Sequence, residues 1–193
     1  RLEACHDQVV FDGAAWLAAW DLHPDPATAP KGLRQGDRFP DLALTSPDGQ
    51  AVTLSQLRGK PVFLHFWGSW CPPCQAEFAD LQTLYDALKD QDTVSFVLVQ
   101  GRESIAKSRR WAAKRGITMD LYDSGATGQG DKFFTMADGS KLNDRRLVSQ
   151  YPTTYVLDAN GLIVFYRSEE HTSELQSHHD LACRLLLLKK KPS

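Results

Sequence analysis

Two cysteines three residues apart, Cys71 and Cys74, close the stretch Pro61–Cys74, PVFLHFWGSWCPPC. An apolar run fit for a buried strand ends there in a Gly-Ser turn, and Trp70 leads into the pair. Behind it, Phe78, Leu81, Leu84, Tyr85 and Leu88 recur on one face of an amphipathic helix. A strand that delivers Cys-x-x-Cys to the start of a helix suits thiol–disulfide exchange. The first turn of a helix carries unpaired N–H groups and the positive end of the dipole, so a sulfur placed there is stabilised as thiolate, the nucleophilic form. Positions i and i+3 share a helix face, which brings Cys74 within reach of Cys71 for a disulfide. Cys71, nearer the helix end and solvent, is expected to attack, and Cys74, one turn inside, to resolve the mixed disulfide. Pro72 and Pro73 remove two backbone donors, so the stabilising N–H groups begin at Cys74. Half of a zinc site is the competing reading, but it needs a second, correctly spaced pair, and the chain has none.

The elements that must position the pair follow from pattern. Val62–Trp67 is almost continuously apolar, as a central strand buried on both faces should be, and His65 breaks the run six residues before Cys71. Ahead of it, FPDLAL, the turn SPDGQ and AVTLSQL read as a hairpin. Behind the helix, Val94–Gln100 reads as a second buried strand, Glu103–Arg115 as a helix with Ile105, Trp111 and Ala112 inward, and Met119–Tyr122 as a short strand. Arg102, Lys107, Arg109, Arg110, Lys114 and Arg115 make that second helix basic, which we read as a solvated face. Ser124–Arg146 reads as a loop, packed down by Phe133, Phe134 and Met136. Its GATGQG lacks the Lys-Ser/Thr that a phosphate loop needs. Thr153–Leu157 is a strand, and Asp158–Gly161 turns it into Leu162–Tyr166.

Composition bounds the rest. The chain has 193 residues, 42% of them hydrophobic, enough for one domain with a proper core. A net charge of −2 argues against nucleic acid or an anionic membrane as partner. No run approaches the length of a membrane span. The chain opens on Arg1, so a processed or partial chain is expected and the lack of a signal segment says nothing. Residues 1–36 read as an extension and linker, with a short helix over Val9–Trp20 and three prolines in HPDPATAPKG. Leu2–Cys5 faintly resembles a lipoprotein cleavage box, but Glu3 is atypical there. Cys5 reads as an incidental thiol, and with His6 it is too little for a metal site.

At FWGSWCPPC, Glu77 and YPTTYVLDANG the chain resembles the thioredoxin superfamily, and within it the TlpA/ResA-type branch of bacterial envelope thiol–disulfide oxidoreductases. The resemblance spans about Asp37 to Phe165. It implies an α/β, thioredoxin-like fold over residues 37–166: a mixed central sheet flanked by helices, with an N-terminal β-hairpin. It assigns Cys71 and Cys74 to the exchange. It also implies a proton role for Glu77, one turn beyond Cys74, against the alternative of a solvated first-turn acid. His65 matches a buried acid of thioredoxin and could move the same proton, or could be a neutral buried histidine satisfied by a hydrogen bond. A common proline is replaced by Ala79, which predicts a straighter helix. Superfamily members place a cis proline opposite the cysteines, and Pro152 can hold one. Trp70, Tyr151, Pro152 and Thr153 are therefore assigned to partner binding, with free backbone there to pair with an extended substrate.

Arg167–Ser177, RSEEHTSELQS, resembles residue for residue the in-frame translation of a common short-read sequencing adapter. Residues 167–193 are accordingly read as a non-native tail, and the superfamily's last helix as missing. Strands Val62–Trp67 and Thr153–Leu157 are then expected to expose apolar area unless Leu181 and Leu185–Leu188 cover it. Metal binding through His178, His179 and Cys183, or a basic membrane anchor, is given little weight.

The function expected is dithiol–disulfide exchange on protein partners by a monomer, with the Cys71–Cys74 disulfide as the redox centre and no added cofactor or metal. The resemblance implies a periplasmic or envelope-facing reductase recharged by another protein and acting in cytochrome c maturation or on other periplasmic thiols. Two alternatives differ in chemistry. A peroxiredoxin-like peroxidase shares the architecture but normally carries Thr-x-x-Cys without the WCxxC doublet. A copper-handling module would use both sulfurs as soft ligands.

Overall fold

The structure is a computed structural model that describes residues 26–168. The readings made for Val9–Trp20, for Cys5 and His6, and for the tail from residue 169 onward lie outside the described residues.

Nine strands and two helices are described. They are β1 (Ala43–Thr45), β2 (Ala51–Thr53), β3 (Val62–Trp67), α1 (Pro72–Leu88), β4 (Ser95–Gln100), α2 (Ile105–Ala113), β5 (Leu121–Tyr122), β6 (Phe133–Thr135), β7 (Lys141–Asn143), β8 (Thr153–Leu157) and β9 (Ile163–Ser168). A five-stranded sheet runs in the order β5-β4-β3-β8-β9. Its β3–β4 and β4–β5 pairs are parallel and its β3–β8 and β8–β9 pairs antiparallel, so the sheet is mixed. This is the thioredoxin-like arrangement that the resemblance implies.

Strand β3 lies between β4 and β8, and all six of its residues are buried. The two-residue repeat sorts its side chains. His65 and Trp67 face α1, with ring centroids 6.2 Å and 4.5 Å from Phe78. Phe66 faces the other way, 5.2 Å from Phe134 and 6.4 Å from Phe39. The chain steps outward from β3 to β4 to β5 by parallel crossovers of one hand, which puts both helices on the same face. Trp111 of α2 accordingly meets Phe78 of α1 at 5.1 Å and Trp67 at 5.5 Å. The apolar face of α1 is the expected one: Phe78, Leu81, Leu84 and Leu88 are buried, each contributing roughly 1.5–3 kcal/mol. The helix runs unbroken through Ala79.

The structure corrects the sequence reading in three places. AVTLSQL is a strand only as far as Thr53. Leu54–Leu57 then winds into a 3-10 turn, because the Gln56 side chain accepts the Thr53 N–H at 2.8 Å and Asp41 accepts the Ser55 N–H at 2.8 Å. Ser124–Arg146 is not a plain loop: β6 and β7 form a hairpin around Asp138-Gly139, followed by a short turn at Asp144–Arg146. Of the residues expected to hold it down, Phe134 is buried and Phe133 is 52% exposed, because successive strand residues point to opposite faces. Every residue of β3 and β8 is buried, and the share of that cover expected from Leu181 and Leu185–Leu188 lies outside the described residues. Phe39 and Phe134 pack on the side opposite α1, and Tyr155 of β8 fills the space between, 4.8 Å from Phe39.

Candidate active site

The end of β3 and the start of α1 set the cysteines. Cys71 is the N-cap of α1, in extended conformation, and Pro72 and Pro73 occupy the first helical positions, where a missing N–H costs nothing. The two sulfurs form a disulfide with Cα atoms 5.3 Å apart. The Cys74 N–H donates to Cys71 Sγ at 3.2 Å, so the first donor past the prolines is the one that reaches the sulfur. Cys71 is 3% exposed and Cys74 is fully enclosed.

The second wall of the site is the loop before β8. The Tyr151–Pro152 bond is cis. The Tyr151 carbonyl oxygen stands 3.4 Å from Cys71 Sγ, which places Pro152 directly against the pair. Thr153 opens β8 opposite Phe66 and donates its hydroxyl to the Gln150 carbonyl at 2.6 Å. Trp70 and Tyr151 meet edge to face at 5.2 Å, so the two walls touch through aromatic rings.

A third segment, Gly101-Arg102-Glu103 after β4, grips both walls, and we assigned none of its residues to the site from sequence. The Trp70 indole N–H donates to the Gly101 carbonyl at 2.9 Å. Arg102 forms a two-pronged ion pair with buried Asp144, at 2.6 and 3.1 Å, and its guanidinium lies 5.6 Å from the centre of the Tyr151 ring. The Tyr151 hydroxyl donates to the same Asp144 carboxylate at 3.3 Å. Burial first, and the Asp144 charge second, push the Tyr151 phenol far above its ordinary range, so it stays neutral. Glu103 is buried and accepts hydrogen bonds from the backbone and hydroxyl of Ser69, both at 2.6 Å. A side chain at Gly101 has no room: a Cβ there would lie 2.1 Å from the Tyr151 hydroxyl. The same holds at Gly68, where a Cβ would meet the Trp70 indole at 2.3 Å.

The two residues given proton roles lie on β3 and α1, the elements that set the cysteines. His65 is fully buried under α1, and its Nδ1 shares a hydrogen bond with the Thr154 hydroxyl at 2.9 Å. Glu77 lies on α1 with its carboxylate 3.4 Å from Arg167 of β9. That arginine opens the stretch that resembles an adapter translation. Among the described residues no group of histidines, cysteines and carboxylates is placed to hold a metal ion, and no helix is long and apolar enough to cross a membrane.

A buried strand, a helix-capping cysteine pair and an apposed cis proline define a thioredoxin-like redox protein, and comparison with known proteins agrees. The chain belongs to the AhpC/TSA family, whose model matches residues 35–166. It is 31% identical over 144 residues to the thioredoxin-like protein YneN of Bacillus subtilis, covering 75% of this chain and 77% of that one. It is 28% identical over 134 residues to the thiol-disulfide oxidoreductase ResA of Bacillus subtilis, covering 69% and 67%. The fold also matches the crystal structure of a secreted Mycobacterium tuberculosis disulfide oxidoreductase, with a TM-score of 0.54 at 22% identity, over 75% of this chain and 94% of that one. Within the thioredoxin superfamily the chain is similar to ResA-type oxidoreductases.

Proposed function

We propose that this chain exchanges electrons with protein thiols and disulfides through Cys71 and Cys74, as a reductase facing the bacterial cell envelope. It is an enzyme of the protein-disulfide oxidoreductase class. The observation that carries the reading is the Cys71 sulfur at the N-terminus of α1, accepting the Cys74 N–H and facing the carbonyl that precedes the cis proline. In the reduced enzyme the Cys71 thiolate attacks one sulfur of a substrate disulfide. A mixed disulfide forms, and the other substrate sulfur leaves and takes a proton. Cys74 gives up its proton and attacks Cys71 Sγ, which closes the Cys71–Cys74 disulfide and releases the second substrate thiol. Two electrons have then left the enzyme, and a recharging protein returns them, with no cofactor beyond the pair.

Trp70, Tyr151, Pro152 and Thr153 form the wall against which an extended partner segment lies, and Glu77 and His65 handle the proton of Cys74. The envelope location and the reducing direction rest on the ResA-type resemblance, which also makes the disulfides of cytochrome c maturation the substrates to try first. Thiol trapping tests the core of the reading. Cys74→Ser should accumulate mixed disulfides with envelope proteins, Cys71→Ser should not, and the wild-type chain should reduce a model protein disulfide. A Cys74→Ser protein that traps nothing, with a wild-type chain inert on the model substrate, defeats it.

A further inference from the structure

We propose that Glu103 is a positioning residue for Cys71, acting through Ser69; the inference rests on Cys71 being the attacking sulfur. Glu103 is a carboxylate only 2% exposed, in the turn between β4 and α2, and no step of the exchange uses it. Its Oε1 accepts from the Ser69 N–H at 2.6 Å and from the Ser108 hydroxyl at 2.7 Å. Its Oε2 accepts from the Ser69 hydroxyl at 2.6 Å and lies 3.5 Å from Lys107 Nζ. The remaining polar group of Ser69, its carbonyl, accepts from the Gln75 side chain of α1 at 2.7 Å. Ser69 is therefore fastened at all three of its polar groups, to the β4–α2 turn on one side and to α1 on the other. Two residues on, the Cys71 N–H donates back to the Gly68 carbonyl at 3.1 Å, so the pinned turn carries the sulfur.

The physical consequence is a fixed sulfur. Stabilisation of a thiolate by a helix N-terminus falls off within the first turn, so it depends on Sγ staying on the Cys74 N–H. Unpinning Ser69 lets the turn relax and weakens that hold. A buried carboxylate also has a direct effect of opposite sign, because its charge disfavours a nearby thiolate. Loss of positioning raises the Cys71 pKa, whereas loss of charge alone lowers it.

Thiol titration of the reduced full chain, read by the pH dependence of alkylation at Cys71, separates the two. Glu103→Ala should raise the Cys71 pKa by about one unit, which is about tenfold less thiolate at a fixed pH well below it. Glu103→Gln keeps an acceptor for the Ser69 and Ser108 donors, and its amide can donate to the Ser69 hydroxyl, so Cys71 should titrate at or below wild type. Ser69→Ala should raise the value by less, and the Ser69→Ala/Glu103→Ala double variant no further than Glu103→Ala alone. A Cys71 pKa that is unchanged or lowered in Glu103→Ala overturns the proposal, as does a rise in Glu103→Gln equal to that in the alanine variant. Should Glu103→Ala fail to fold, an unshifted Cys71 in Ser69→Ala overturns it instead. The titration needs no turnover, so a wild-type chain inert on protein disulfides counts against the enzymatic reading and leaves this one to its own result.

Discussion

Tyr151 does three things at once: its carbonyl faces Cys71, its ring meets Trp70, and its hydroxyl reaches Asp144. Burial keeps its phenol protonated far beyond the usual range. The folded chain thus holds that proton more tightly than the unfolded one. The resulting stabilisation is complete below about pH 10, where an unfolded tyrosine begins to ionise, and drains away as the pH rises further. Tyr151→Phe should lose about 1 kcal/mol at neutral pH, for one hydrogen bond, and should show a shallower alkaline decline, read as urea midpoints from pH 7 to 11. An alkaline decline as steep as that of wild type would show that Tyr151 does not set it. Tyr155, Tyr122 and Tyr85, also raised by burial, contribute to the decline that remains. At this scale the cysteines, Trp70 and Pro152 were legible because each sits in a local pattern. Glu103, Arg102 and Asp144 were not: Glu103 meets Ser69 across 34 residues of chain, and Arg102 meets Asp144 across 42, separations that no spacing rule addresses.

Among elements, β3 and α1 were readable end to end, since a fully buried strand and a one-sided helix leave strong periodic signals. The β6–β7 hairpin was missed, although its strands are no shorter than β1 and β2. Its Asp138-Gly139 was the signal available. That hairpin matters to the site because the turn after it supplies Asp144. Asp144→Ala would leave Arg102 without its carboxylate partner, with a side chain only 19% exposed. The expected cost is about 3 kcal/mol, the range seen when one member of a buried pair is removed. A midpoint shift in urea worth less than about 1 kcal/mol would show that the pair is effectively solvated.

For the molecule as a whole, the two faces of the sheet are covered by unlike means. One carries α1 and α2; on the other, among the described residues, Phe39 and Phe134 pack against Phe66 from segments far apart in sequence. Phe134→Ala should therefore cost about 3–5 kcal/mol in equilibrium unfolding, as for a core aromatic. A loss near zero would mean the hairpin can detach without consequence. The fold class was visible in advance because the β3–α1 and β8–β9 units announce it, while the cover on the second face depends on long-range packing. Position 101 carries a last consequence. The Tyr151 phenol fills the space beside it, which admits a hydrogen atom and no methyl group while the phenol stays in place. Drift and engineering alike can rework the lip of the cleft, yet any lineage that keeps both aromatic rings in place must keep glycine at that corner.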